Sequence, residues 1–168
     1  MLIRTHLAVA LALAAAGAPL HGLLPGTAGA VLGAWLPDID LHLSPRGPTA
    51  NPFAGTPWRH RTATHSFLCL AALTVGAFEL ARPVPPTALL FFALGFLSHV
   101  ALDACTRSPV FPFWPFMLPL HLPPLFHLRG VRTGGAGDRA LGWTIAIPAT
   151  VAWIHRAYLL LSAFHNIR

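Results

Sequence analysis

Five apolar runs, separated by short polar or proline-rich stretches, organise this chain. Leu2 to Ala18 is the first, with Arg4 near its start and the small residues Ala16-Gly17-Ala18 at its end. The same pattern fits a secretory signal peptide cleaved at those small residues. Leu20 to Leu36 is weaker, broken by Pro25 and several glycines. It reads as a short span or a re-entrant element, which is tolerated at membrane depth only when buried against protein. Ser66 to Ala81 is shorter than the ~20 residues of an average span and crosses only if its polar flanks lie at the interface. Thr87 to Thr106 and Leu141 to Ala163 complete the set. Between Pro109 and Pro124 prolines alternate with aromatics too often for a regular helix. That stretch reads as an interfacial segment with Trp114 at head-group depth. The pattern predicts an all-α integral membrane helical bundle of four or five hydrophobic segments, one short or re-entrant, in a single domain over 1–168.

Composition agrees. The chain is 55% hydrophobic and 10% charged, with a mean hydropathy of +0.62, whereas about a quarter of a soluble domain is charged. Eleven Arg and no Lys leave a net charge of +6. A nucleic-acid binder would gather such charge on one soluble face. Here the arginines are scattered between apolar runs, which excludes nucleic acid as a partner and points to lipid head groups and positive-inside topology. Cys69 and Cys105 form neither a CxxC site nor a disulfide framework.

Against this background the few acids stand out. Of five Asp and Glu residues, Asp38, Asp40 and Asp103 lie beside histidines at the edges of apolar runs, where a carboxylate is costly and usually functional. His99 and Asp103 are four apart and share one helical face, continued by Thr106 and preceded one turn earlier by Gly95. They can ligate one metal, or the Asp can orient the His; a buried pair locking two helices is the structural alternative. Asp38 and Asp40, two apart behind Pro37, would point the same way in an extended segment and face one cation. An ordinary polar turn at a helix end explains them equally. In His60-Arg61-Thr62-Ala63-Thr64-His65-Ser66, His60 and Arg61 end a loop, Thr62 or Thr64 caps the next helix, and His65 lies in its first turn. Arg61 is suited to grip a phosphate or stabilise developing negative charge, while Thr64 and Thr106 would orient ligands. A basic membrane-interface cluster is the simpler reading of that stretch.

Topology ties the islands together. If the five runs alternate in direction, His6, Asp38, Asp40, His60, His65, His99 and Asp103 all fall toward one side of the membrane. Arg4, Arg46, Arg59, Arg61, Arg107, Arg129, Arg132 and Arg139 share that side, against Arg82, Arg156 and Arg168 opposite, which places it in the cytoplasm. Carboxylates and imidazoles at one depth would repel or stay desolvated without a cation among them. Mixed His and Asp ligation suits zinc first, then manganese or iron. Such an ion makes a nearby water nucleophilic, so the chemistry is hydrolytic, most naturally on a phosphoester in a lipid or lipid-linked substrate. No Gly-x-Ser-x-Gly elbow and no His-Glu-x-x-His is present.

In order along the chain, Thr5-His6, Leu36-Pro37-Asp38-Ile39-Asp40, His60-Arg61-x-x-Thr64-His65-Ser66, Leu94-Gly95-x-x-Ser98-His99-x-x-x-Asp103-x-x-Thr106 and Trp114-Pro115 resemble the YdjM-like bacterial inner-membrane proteins. The resemblance covers roughly the first 115 residues and implies a membrane-bound metal-dependent hydrolase. It also implies that His6 is retained, against cleavage of the first run. Two departures are visible. Pro109-Val110 stands where the family usually has Gly-Val, and the Thr133 to Asp138 loop carries Asp138 where the family has Glu, making Asp138 a candidate extra ligand. His-x-x-x-Asp also resembles an element of zinc-dependent phospholipase C and P1-type nucleases. His21, His42, His121, His127, His155 and His165 match no motif and read as packing or interfacial residues. The competing class is a non-enzymatic metal-binding or ion-transporting membrane protein using the same ligands. Apart from Glu79 and His155 the runs offer no polar path to the other face, which favours the enzyme. A scaffold whose buried polar groups only set helix register is the third option.

Overall fold

The computed structural model describes residues 1–42, 60–80, 84–106, 108–120 and 132–165. Its helices are α1 (Ile3–Gly17), α2 (Leu23–Trp35), α3 (Ile39–His42), α4 (Phe67–Leu80), α5 (Pro86–Ala104) and α6 (Ala136–His165). Short 3-10 turns at Leu20–Gly22, Leu36–Asp38 and Ala63–His65 join or introduce them. Each apolar run is thus helical, as expected. Among the described residues, two helices are long and apolar enough to cross a membrane. The 19 residues of α5 and the 30 of α6 reach roughly 28 and 45 Å at ~1.5 Å per residue, against a hydrocarbon core of about 30 Å. With 15, 13 and 14 residues, α1, α2 and α4 are shorter. The second run is a regular helix, because Pro25 falls in its first turn, where a missing N–H breaks no intrahelical bond.

α2 packs most extensively on α5, and α1 on α6. The α2–α5 crossing is close because glycine lines it. A Cβ on Gly29 would stand 2.1 Å from the Ala88 carbonyl oxygen, and one on Gly33 2.0 Å from that of Phe92. From the other side, Gly95 abuts the Ala30 carbonyl. This small-xxx-small spacing lets two helices approach without a hydrophobic driving force between them. Gly33→Ala is expected to lower the thermal midpoint, since the clashing atom belongs to backbone and overpacking costs about 1–3 kcal/mol. Gly76→Ala, with nothing within 4 Å of the added carbon, is expected to raise it, by about 0.5–1 kcal/mol of helix preference. Thermal unfolding in detergent, followed by circular dichroism, checks both.

Polar contacts pin the remaining helices. Trp153 Nε1 donates to Thr27 Oγ1 at 2.8 Å, joining α6 to α2. Arg156 donates to the carbonyls of Ala15 and Ala18, satisfying acceptors that the end of α1 leaves without intrahelical partners. The aromatic-proline stretch folds back through an antiparallel bridge between Val110 and Leu120, burying Val110 and Phe111 while Phe116 is 73% exposed. Outward faces stay apolar, with Val75 and Phe78 of α4 and Ile147, Val151, Ile154 and Leu161 of α6 all exposed. Such a surface suits lipid and not water. Cys69 and Cys105 are free thiols.

Candidate metal centre

Helix direction brings the polar islands to one end of the bundle. α1 begins there with His6, α2 ends there ahead of Asp38 and Asp40, α4 starts there after His60 and His65, and α5 finishes there with His99 and Asp103. His6, Asp38, Asp40, His60, His65, His99 and Asp103, drawn from separate islands of the sequence, are linked by contacts of 3.8 Å or less. All but His60 are buried.

At the centre, Asp38, His65, His99 and Asp103 each offer one ligand atom, all within 4.8 Å of one another. His65 Nε2 lies 3.2 Å from His99 Nε2, 3.6 Å from Asp38 Oδ1 and 3.6 Å from Asp103 Oδ2. His99 Nε2 lies 3.5 Å from Asp38 Oδ1 and 3.8 Å from Asp103 Oδ2. A tetrahedron with ligands ~2.0–2.2 Å from its centre has six edges of about 3.3–3.6 Å, and these five separations, 3.2 to 3.8 Å, fall close to that range. Ring orientation agrees. His99 Nδ1 donates to the Ala34 carbonyl at 2.7 Å, one of the acceptors that α2 leaves open at its C-terminus. In the neutral ring that bond leaves the lone pair on Nε2, which points at His65 Nε2. Two imidazole nitrogens that close need a proton or a metal between them. Thr64 Oγ1 sits 3.0 Å from His65 Nδ1 and fixes that ring as well, the usual arrangement behind ligating histidines. The donor set fits a divalent ion of the zinc, manganese or iron type.

Asp40 and His60 flank this group. His60 Nδ1 lies 3.1 and 3.0 Å from the two Asp40 oxygens, and its Nε2 is 3.6 Å from Asp38 Oδ1. Burial works to raise the Asp38 carboxyl, but the His65 and His99 rings beside it outweigh burial and hold the group below the usual carboxylate range. Expected as extended, the Asp38–Asp40 segment is helical instead: the chain runs from α2 through the 3-10 turn straight into α3. The two carboxylates consequently divide their work, Asp38 facing the histidine pair and Asp40 holding His60.

Arg61 adopts φ 70°, a left-handed conformation unusual for a residue with a side chain. Its position is over-determined. Nε lies 3.1 Å from Asp103 Oδ2, one terminal nitrogen donates to Thr106 Oγ1 at 2.6 Å and to the Ser108 carbonyl at 2.8 Å, and its own carbonyl accepts from Phe111 N. The guanidinium thus neutralises Asp103 from within the protein. Thr106 Oγ1 in turn donates to the Asp103 carbonyl at 2.8 Å, closing the end of α5.

The cap of α4 departs from expectation. Neither Thr62 nor Thr64 caps it, and His65 precedes the helix in the 3-10 turn. Ser66 takes the role: its backbone is extended, and its Oγ accepts from Cys69 N at 3.1 Å and donates to the Ala63 carbonyl at 2.7 Å. Thr64 is thereby free to hold His65. Asp138 lies apart from the metal-type group. Its carboxylate accepts from Leu2 N, Thr5 Oγ1 and Gly134 N at 2.9, 2.7 and 2.9 Å, tying α6 to the first turn of α1 that carries His6. Sequence reasoning did not foresee this role for Thr5, although Thr5 stands beside His6 in the motif. The Ala34 carbonyl gave no signal at all, being backbone. Arg46, Arg59, Arg107, Arg129, His121, His127 and Arg168 lie outside the described residues, as does the His42 side chain.

The profile of the YdjM inner membrane protein family matches residues 1–166. This chain belongs to that family. It is 36% identical over 113 residues to inner membrane protein YdjM of Escherichia coli (strain K12), a match covering 60% of the chain and 55% of the relative. The YdjM protein of Shigella flexneri matches to the same extent. The chain thus spans about half the length of the relatives it matches. No solved structure matches it.

Proposed function

We propose that the chain is a membrane-bound metal-dependent hydrolase acting on a phosphoester of a lipid or lipid-linked substrate. The observation that carries this reading is the near-tetrahedral meeting of Asp38, His65, His99 and Asp103 around two ring nitrogens 3.2 Å apart. A bound divalent cation would supply Lewis acidity toward a phosphoryl oxygen and lower the pKa of a nearby water. The chain's own residues do the rest. Asp40 holds His60 at Nδ1, so that Nε2, on the most exposed side chain of the group at 17%, takes a proton from water entering the site. Arg61 orients Asp103 from Nε, and Thr64 fixes the His65 ring.

A lipid substrate is supported by an apolar cavity of about 480 Å³ between α2, α4 and α5, lined by Leu32, Leu36, Leu73, Ala88, Leu89 and Phe92 among others. Its lining reaches Leu36, two residues before Asp38. An acyl or prenyl chain in that cavity would bring its head group to the metal-type group. The helices alternate across the membrane in this reading, and the arginine excess sets the site end in the cytoplasm.

The test is hydrolysis by metal-loaded protein in vesicles of phosphatidic acid, phosphatidylglycerol or a prenyl phosphate. Release of phosphate or head group, stopped by a chelator and restored by zinc or manganese, is expected. Protein that holds its full metal complement yet cleaves none of these phosphoesters would leave the metal-binding alternative in its place.

A further inference from the structure

The four-ligand group leaves one buried histidine without a hydrogen-bond partner. His6 is fully buried, and neither of its ring nitrogens has a hydrogen-bond partner among the described residues. Burying an imidazole in that state is costly. The ring is nonetheless placed with order. It stacks on His99 with centroids 3.8 Å apart and planes 14° from parallel, and its Nε2 faces Asp103 Oδ1 at 3.4 Å. The two Asp103 oxygens are therefore divided: Oδ2 toward His65 and His99, Oδ1 toward His6. The Met1 amino group, itself a cation, lies 2.5 Å from the same Oδ1.

We propose that His6 Nε2 and Asp103 Oδ1 hold a second divalent cation, with Asp103 bridging it to the first. Two stacked imidazoles, each presenting Nε2 to one end of the same carboxylate, set their ions apart by about the ring spacing. That matches the ~3.5–4 Å separation of two-metal hydrolytic centres. Zinc or manganese suits an imidazole–carboxylate pair. Two protein ligands leave positions open for water and a substrate oxygen, as a catalytic ion requires and a structural one does not. This inference rests on the first centre proposed above and adds to it a second position, with His6 as its own ligand.

Reconstitution of the detergent-purified chain with manganese tests it, counting metal by elemental analysis and observing electron paramagnetic resonance. The wild type is expected to hold two ions per chain with the spectrum of a spin-coupled pair. His6→Gln is expected to hold one ion, giving the six-line signal of isolated manganese. One ion per chain in the wild type, with an isolated signal, would overturn the second position and leave the first intact. A coupled pair surviving in His6→Gln would overturn it too. No bound ion in the wild type would remove both positions. Should His6→Gln fail to fold, the wild-type count and spectrum decide alone.

Discussion

Asp103→Ala is expected to strip the protein of its divalent cation and of any activity that depends on it. The two oxygens of Asp103 face different partners, with Oδ2 near His65, His99 and Arg61 and Oδ1 near His6 and the Met1 amine. Losing a residue that merely orients a ligand already costs roughly 10–100-fold in metal affinity; losing a direct ligand costs more. Metal content after dialysis should fall at least tenfold, about the lower end of that range. Asp40→Asn alters the Asp40–His60 pair and the bond from Leu41 N to Asp40 Oδ1, leaving the four-ligand group itself unchanged, and is expected to keep the ion while slowing hydrolysis. A variant lacking Asp103 that binds metal as the wild type does would move the site elsewhere.

Arg61→Ala carries the second large effect, and it falls on stability. Removing the guanidinium takes away the cationic side chain on Asp103 Oδ2 and the donor to Thr106 Oγ1 and the Ser108 carbonyl. A buried carboxylate that loses its guanidinium while keeping the Met1 amine at Oδ1 costs up to about 3–5 kcal/mol, the figure for a carboxylate left with no partner. Relief of the left-handed backbone at Arg61 returns little, because alanine is disfavoured there as well. Arg61→Lys keeps the charge but loses the planar fork that reaches Asp103 and Thr106 together, and is expected to fall between. A divalent cation would replace the missing charge. Zinc should therefore raise the thermal midpoint of Arg61→Ala by more than it raises that of the wild type. Equal shifts in the two proteins would show that Arg61 and the ion do not share Asp103.

The sequence shows where most of the helices lie and the identity of the polar group, because each rests on a local pattern, although α6 begins at Ala136, ahead of the run that opens at Leu141. His99 and Asp103 share a face by spacing alone, and the structure keeps them 3.8 Å apart across one helical turn. The gathering of His6, Asp38, Asp40, His60, His65, His99 and Asp103 at one end was legible from the alternation of the five runs. Local geometry was less accessible. An Asp-x-Asp behind a proline looks like the start of an extended loop, yet α2 continues through a 3-10 turn into α3. Ser66 was hidden as a cap because Thr62 and Thr64 are equally good candidates by residue type, and only the extended backbone at Ser66 decides among them. The division between ligands and their supports was also beyond the sequence. Whether Asp40 faces a metal or a histidine depends on where His60 lands after a long connection. Asp138 could be placed near the site from its motif, but beside its neighbour Gly134 its partners Leu2 and Thr5 come from the other end of the chain.

Elemental analysis of the detergent-purified wild type beside an Asp38→Ala/Asp103→Ala double variant tests the central claim most directly. The wild type should carry zinc, manganese or iron in stoichiometric amount. The double variant, shown by circular dichroism to remain helical, should carry none. A wild type that stays metal-free after reconstitution with each of these ions would contradict the account and leave the buried Asp and His residues as a register-setting scaffold.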